Sequence, residues 1–448
     1  MTSLKHFILA GVLGTLGVAG LVVPWYSSRT LDTELNAFAN GARTGDLVVH
    51  KFVHQSGLFN SSGTMEFRLR DSCEVDTEQD PASFSVQYTV SHLPSIRGVM
   101  QFEWSLLPQG LTLATIEEII GPGTKLSGTG AIGFDGLLDM NLDLPELNFS
   151  NNGVTFQVTP SKGSLIANST AIQFVWSLSR FVARGKGEAL DMKGLSLNMD
   201  LKDRNLGTGT IFLGVESIST SSLSIEGLQV RSETTEIKDQ LSSKVSESIK
   251  VFKFMGQSMN DLELEASVTG LHAPSVRSLV EIGQVSCGFK NMTADESQKV
   301  RKVMETLLTT GMSIGIPTVK GSGADGRVSA NLMVELMPAS DGTIALEKNL
   351  RSSGQLVITG NLLNPGQVDM ALATGYADKI PGGLKAAFSY QDGLLKMSDK
   401  TLDAGLVKSA LAQADKAIEN FLHPRVAPAR AEAEVADDTG ESSAPVPQ

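Results

Sequence analysis

From Phe84 to about Val230, apolar and polar residues alternate with period two. Leu138, Met140, Leu142 and Leu144 are separated by Asp139, Asn141 and Asp143, and Leu195, Leu197, Met199 and Leu201 by Ser196, Asn198 and Asp200. Successive side chains of a strand point to opposite faces, so the pattern predicts strands with one dry face and one wet face. Such strands belong to antiparallel sheet rather than to parallel sheet buried on both sides. Asp135-Gly136, Asp325-Gly326, Asp341-Gly342 and Asp392-Gly393 supply the positive φ that tight hairpins require. The fold class expected is mainly β (α+β): an extended antiparallel, hairpin-rich sheet with a few flanking helices.

A different pattern precedes it. Phe7 to Val23 carries no charge, only Thr15 is polar, and Pro24, Trp25 and Tyr26 follow. At 1.5 Å per residue, about 17–19 residues cross the hydrocarbon core of a bilayer, and Trp and Tyr rings favour the headgroup zone. The competing reading is a cleaved secretory signal, whose shorter apolar core of about 7–15 residues runs into a small-x-small triplet. Here Val18-Ala19-Gly20 runs into Leu21-Val22-Val23, and Ala37-Phe38-Ala39 lies far beyond the apolar core. An uncleaved N-terminal transmembrane helix is therefore expected. Lys5 before it and Arg29 after it give a slight positive-inside bias, toward a short cytoplasmic end and a body on the far side. Gly11, Thr15 and Ala19 fall at small-xxx-small spacing and Gly14, Gly17 and Gly20 add small residues. A homodimer seam is one reading of them, and the ordinary abundance of glycine in membrane helices is the other.

Thr30 to Asn40 reads as a short amphipathic helix through Leu31, Leu35 and Phe38, capped by Ser28 or Thr30. Strands are expected at Leu47–Gln55, Thr64–Leu69 and Leu262–Val268, while Ser232 to Phe254 suits a helix through Ile237, Leu241, Val245 and Ile249 or a strand through Val245, Ile249 and Val251. A helix begins at Ser275. Thr293-x-x-Glu296, a capping-box pattern, opens another through Val300, Val303, Met304, Leu307 and Leu308 to Gly311. Further strands centre on Leu332, Val357 and Met370, one runs Leu384 to Tyr390, and a last helix spans Lys400 to Leu422. From His423 the chain is Ala/Pro-rich and acidic, a composition that cannot bury enough apolar surface to order itself. The expected organisation is an anchor at 1–27, a β-rich body at 28–422 and a disordered tail at 423–448.

Charge narrows the partners. Against 37 Lys and Arg stand 49 Asp and Glu, the wrong balance for nucleic acid, whose phosphates need a positive surface. Only Cys73 and Cys287 are present. An oxidising compartment would permit one disulfide between them, and two separate buried thiols are the equal alternative.

Candidate chemistry is sparse. Gly128-Thr129-Gly130-Ala131-Ile132-Gly133 and Gly321-Ser322-Gly323-Ala324-Asp325-Gly326 match GxGxxG, yet each leads into a strand instead of the helix start that a pyrophosphate needs. They are read as loops. His50 and His54 share a strand face, but four residues at ~3.3 Å place them about 13 Å apart, too far for one metal. Alternating carboxylates such as Asp139 and Asp143 read as a solvated face. No catalytic, cofactor-binding or metal-ligating residue is expected, and the chain reads as non-enzymatic.

One segment remains. Gly57-Leu58-Phe59 followed by Ser61 and Ser62 forms a hairpin tip with an apolar pair. It suits contact with lipid or a partner, since a wet apolar tip costs free energy. The structural alternative, preferred here, is that Gly57 turns the chain while Leu58 and Phe59 tuck into the sheet. His54-Gln55-Ser56-Gly57-Leu58-Phe59-Asn60-Ser61-Ser62 resembles the tyrosine-x-arginine-glycine-leucine-phenylalanine-serine-serine segment of the YdgA-like proteins, departing at His54 and Ser56. Tyr390-Gln391-Asp392-Gly393 resembles that family's later strand turn, although Ser398-Asp399 stands where its asparagine-glycine is expected. The YdgA-like proteins are bacterial, of unknown function, and anchored in the inner membrane by one N-terminal span. The resemblance implies a single-pass inner-membrane protein with its body in the periplasm, and for Ser232–Phe254 it implies a strand from about Lys244 with a loop before it. Two roles follow as expectations: an envelope protein holding a lipid, another apolar ligand or a protein partner along a sheet face, or a scaffold self-associating through its anchor.

Overall fold

A computed structural model describes residues 23–424 except 37–38, 40–42, 45–46, 70–82, 110–125, 152, 186, 286–288, 290–291, 340–341 and 343. The expected anchor up to residue 22 with its glycines, Cys73, Cys287, Asp341 and the tail from 425 lie outside the described residues. Among the described residues no helix is long and apolar enough to cross a membrane.

Among the described residues the alternating pattern becomes an antiparallel ladder of 23 strands. Strands β1 (Arg43–Thr44), β2 (Leu47–Gln55), β3 (Asn60–Leu69), β4 (Ser83–Ser91), β5 (Met100–Gln109), β6 (Leu126–Ile132) and β7 (Leu138–Leu144) each pair with the next. Past Pro145 the chain continues as β8 (Leu147–Asn151), returns as β9 (Val154–Val158), and passes Pro160 into β10 (Ser161–Ala167). β8 pairs with β9, and β7 with β10, so these four are one long hairpin interrupted at the same level. The meander then runs through β11 (Ile172–Gly185), β12 (Glu188–Asp203), β13 (Thr208–Ser219), β14 (Leu223–Ile237), β15 (Gln240–Phe254) and β16 (Gln257–His272). It resumes with β17 (Met312–Gly323), β18 (Gly326–Leu336) and β19 (Leu350–Gly360). Beyond them β20 (Asp378–Ile380), β21 (Gly383–Gln391), β22 (Leu394–Met397) and β23 (Lys400–Leu402) complete it, β19 pairing directly with β21.

The helices are α1 (23–36), α2 (Ala273–Val285), α3 (Ala294–Thr310), α4 (Leu346–Asn349), α5 (Pro365–Thr374) and α6 (Gly405–Leu422). The capping box of α3 forms: Glu296 N donates to Thr293 Oγ1 at 3.2 Å, and Thr293 N donates to Glu296 Oε2 at 2.7 Å.

Several expectations are corrected. Residues 23–29 are already helical, so α1 does not begin at Thr30 and Ser28 lies inside it instead of capping it. No long loop precedes Lys244, because β14 and β15 meet in a two-residue turn, Lys238 and Asp239, with φ of 51° and 63°. That turn adopts positive φ without the glycine or asparagine that would announce it. Met370 lies in a helix: Asn364 and Gln367 cap α5 reciprocally, Pro365 opens it and left-handed Gly375 ends it. Lys400–Leu402 is a strand, and the last helix starts at Gly405. The GxGxxG strings are not loops, for Gly128 and Gly130 lie in β6 and Gly321 and Gly323 in β17.

Residues paired across a ladder share a face. One row runs in register through His54, Gly63, Tyr88, Trp104, Gly128, Leu142, Gly163, Trp176, Leu197, Leu213 and Val230. It continues through Glu247, Leu264, Val319, Ala330, Leu356 and Ala386. The adjacent row, on the other face, includes Thr64, Gln87, Ser105, Ser127, Asp143, Lys162, Ser177, Ser196, Gln229, Ser248, Glu263, Lys320 and Lys385. One face is therefore mainly apolar from β2 to β21 and the other mainly polar, although Val53, Ile166, Val175 and Val357 lie on the polar one. Glycines in the apolar row seat its rings: a Cβ on Gly63 would strike Tyr88, and one on Gly128 the indole of Trp104.

A crease crosses the ladder. Pro145 and Pro160 stand opposite each other, and the same level passes through Ser179, Gly194, Glu216, Gly227, Lys250 and Asp261, where regular pairing lapses from β7 to β16. Gly194, Gly227 and Asp261 have φ of 63°, 65° and 51°. The apolar parity shifts by one there while the register from β7 to β16 does not: Leu142 and Leu144 give way to Leu147 and Phe149, Leu195 to Met192, and Leu228 to Ile225. Leu147, Val158 and Leu178 nevertheless pack into one buried cluster with Leu144, Trp176, Leu195, Phe149, Phe181 and Met192. Residues of both parities thus meet on one side. The crease resets the pleat and keeps the apolar face continuous.

Candidate functional site

The Gly57 hairpin is where α1 meets the sheet. Ser28 Oγ donates to Gly57 O at 3.0 Å and lies 3.1 Å from Ser56 Oγ. Gly57 N donates to Ser61 Oγ at 3.2 Å, and a Cβ on Gly57 would collide with the Asn60 carbonyl. Ser61 Oγ is also 2.7 Å from His92 Nε2, and His92 N donates to Phe59 O at 2.8 Å. Ser61 and His92 are buried, and His92 Nδ1 has no partner among the described residues. Burial, and then the nearby His54, hold the His92 pKa below its ordinary value. A second polar link stands beside the first. His54 Nδ1 is 2.8 Å from Tyr88 Oη, and His54 Nε2 faces Asp32 Oδ1 at 3.9 Å. Burial, reinforced by Asp32, pushes the Tyr88 hydroxyl up to about 12, so Tyr88 stays protonated beside His54.

Leu58 and Phe59 do not tuck into the sheet. They stay 42% and 40% exposed at the tip, beside α1, while Ser61 turns inward and Ser62 pairs with Gln55 and Thr89 in the ladder. Pro24 is buried, whereas Trp25 and Tyr26 remain exposed, with the Arg29 guanidinium 5.3 Å above the Trp25 ring.

Tyr390, Asp392 and Gly393 lie at the far end of the ladder, so the two motifs are not brought together. Asp392 and Gly393, with φ of 51° and 73°, make the two-residue turn between β21 and β22. Tyr390 is buried in the neighbourhood of Glu347 and Lys408, whose side chains are 3.3 Å apart. Burial, then Glu347, raise its pKa.

Between these ends the apolar face is partly open. Val245, Leu264, Ile314, Leu332 and Leu356, all on that face, remain 36–51% exposed across β15 to β19. Opposite them, the polar face carries cross-strand ion pairs, Lys244 with Glu265 at 2.7 Å and Lys320 with Glu263 at 2.9 Å. Among the described residues no group of three His, Cys, Asp or Glu side chains is placed to hold a metal ion.

The model of a family described as a bacterial protein of unknown function, DUF945, matches residues 4–363. The chain belongs to DUF945. No curated protein and no solved structure matches it. The DUF945 match takes in the Gly57 hairpin, the crease and the apolar row as far as β19, whereas the Tyr390 hairpin of this DUF945 chain lies beyond it.

Asp32, Tyr88 and His92 were not legible as site residues. Asp32 comes from α1, and Tyr88 and His92 from β4 and the residue that follows it, and only their meeting with His54 and Ser61 in the fold reveals them. The sequence sets His54 beside His50 and at the start of the Gly57 motif; in the fold it meets Tyr88 at 2.8 Å and Asp32 at 3.9 Å.

Proposed function

We propose that this DUF945 protein is a non-enzymatic envelope protein, tethered to the inner membrane with its body in the periplasm, that holds a lipid or other apolar ligand along the apolar sheet face. The observation that carries the reading is the open strip Val245, Leu264, Ile314, Leu332 and Leu356. Apolar surface left in water costs about 25 cal/mol per Å², and a contiguous exposed patch marks a place that something apolar covers. The tether is supported by the apolar run before α1, by the exposed Trp25 and Tyr26 at its base, and by the likeness of the Gly57 hairpin to the YdgA-like inner-membrane proteins.

The test is lipid co-purification. Full-length protein extracted in detergent, washed and analysed by mass spectrometry should retain lipid, and Leu264→Glu with Leu332→Glu should reduce the amount. Protein that carries no lipid, or carries as much in the double variant, would remove the reading.

A further inference from the structure

We infer that the space between α1 and the sheet is a binding site for a single alkyl chain of a membrane lipid, the point at which that lipid first engages the apolar face. This deepens the reading above and rests on it. The cavity measures about 250 Å³, and its lining is wholly apolar. Leu31 and Leu35 of α1 form one wall, and Met65, Val90, Phe102 and Ile132 of β3 to β6 form the other. An apolar cavity gives water no hydrogen-bond partners and stays dry; one of about 150 Å³ suffices for benzene. The volume here suits a stretch of alkyl chain and is too small for a headgroup with two chains.

Position selects the occupant. The wall residues Val90 and Phe102 pair with each other, and their register row continues through Gly130, Met140, Leu165, Phe174, Met199 and Ile211 along the apolar face. The other wall is the helix that continues the apolar N-terminal run, with Trp25 and Tyr26 exposed at its base. A chain entering here would pass from the bilayer side to the sheet without crossing the polar face. Tyr88 borders the cavity with its hydroxyl held by His54, so the polar atom nearest the chain is already satisfied.

The experiment uses full-length protein in vesicles containing phosphatidylethanolamine with a photoreactive diazirine on one acyl chain. Cross-linked residues are mapped by mass spectrometry in the native protein and in Leu35→Trp, which fills the cavity from the helix side. Adducts should appear on Met65 or Phe102 and fall about tenfold in Leu35→Trp, while adducts on β15 to β19 persist in both. An unchanged circular dichroism spectrum establishes that the variant is folded, and Leu31→Trp repeats the measurement from the neighbouring turn. Adducts on β15 to β19 with none in the cavity, or cavity adducts indifferent to both substitutions, would overturn this site and leave the open-face reading standing. No adduct on the apolar face at all would overturn both.

Discussion

Pro145 stands opposite Pro160 in the ladder, flanked by the pairs Leu144 with Ser161 and Leu147 with Val158. Proline has no backbone N–H, so two strands lose their ladder donors at one level, and in β12, β14 and β16 that level is held by the left-handed Gly194, Gly227 and Asp261. The apolar parity shifts across this line in the sequence of the strands themselves. A strand whose hydrophobic set slips by one residue would otherwise turn it to the wet face.

The parity shift makes neighbours behave oppositely. Leu147 is buried in the crease cluster and Glu146 is exposed. Leu147→Ala should cost about 2–5 kcal/mol, as large-to-small core changes do, and Glu146→Ala within about 0.5 kcal/mol. Urea denaturation followed by circular dichroism measures both; equal effects would mean that the two sides of the crease do not share one apolar face.

Gly194→Ala should destabilise by more than the ~1–2 kcal/mol that a left-handed L-residue costs, because its Cβ would also meet the Glu216 side chain. Gly153→Ala, at φ 79° in a hairpin turn with open space around it, should show the backbone cost alone. The difference between their unfolding midpoints isolates the contact at the crease.

At the Gly57 hairpin the tip and the turn separate. Leu58→Ser with Phe59→Ser should leave stability within about 1 kcal/mol, since both side chains are already exposed at the tip. Gly57→Ala forces its Cβ onto the Asn60 carbonyl and should loosen α1, whose Ser28 bonds Gly57 O. Limited proteolysis within 23–36 reports it; equal cleavage of Gly57→Ala and the native chain would refute the docking role.

The buried Ser61–His92 pair sets a pH dependence. Because His92 is held below its ordinary value of 6.5, the unfolded chain takes up a proton that the folded chain resists. Its contribution to stability is therefore complete above about pH 6.5 and declines as pH falls below it. His54, Tyr88 and Asp32 lie on the same junction, so thermal melts in His92→Gln should lose part of the acid-side decline. Ser61→Ala, which removes the partner of a buried ring nitrogen, should cost about 1–3 kcal/mol at neutral pH.

Much of the sheet was legible, because alternation at Leu138–Leu144 and Leu195–Leu201 follows directly from strand geometry. The turn at Lys238-Asp239 was not, since its positive φ is imposed by the long strands on either side and not by residue type. Met370 misled because a short apolar run looks alike in strand and helix, and Asn364-Pro365 with Gln367 was the overlooked start signal. At the candidate site the Gly57 and Tyr390 turns were legible as motifs. Their neighbours in space, His92 in one case and Glu347 with Lys408 in the other, leave no local mark beside either motif.

The central claim is that one face of a continuous sheet is apolar, open and able to take a lipid. A polarity-sensitive fluorophore on single cysteines at Leu264, Leu332 and Leu356, and on the opposite face at Glu263 and Ser329, tests it in full-length protein with both native cysteines replaced by serine. Adding phospholipid vesicles should blue-shift emission at the first three positions and leave the other two unchanged. Equal shifts on both faces, or none on the apolar one, would contradict the account.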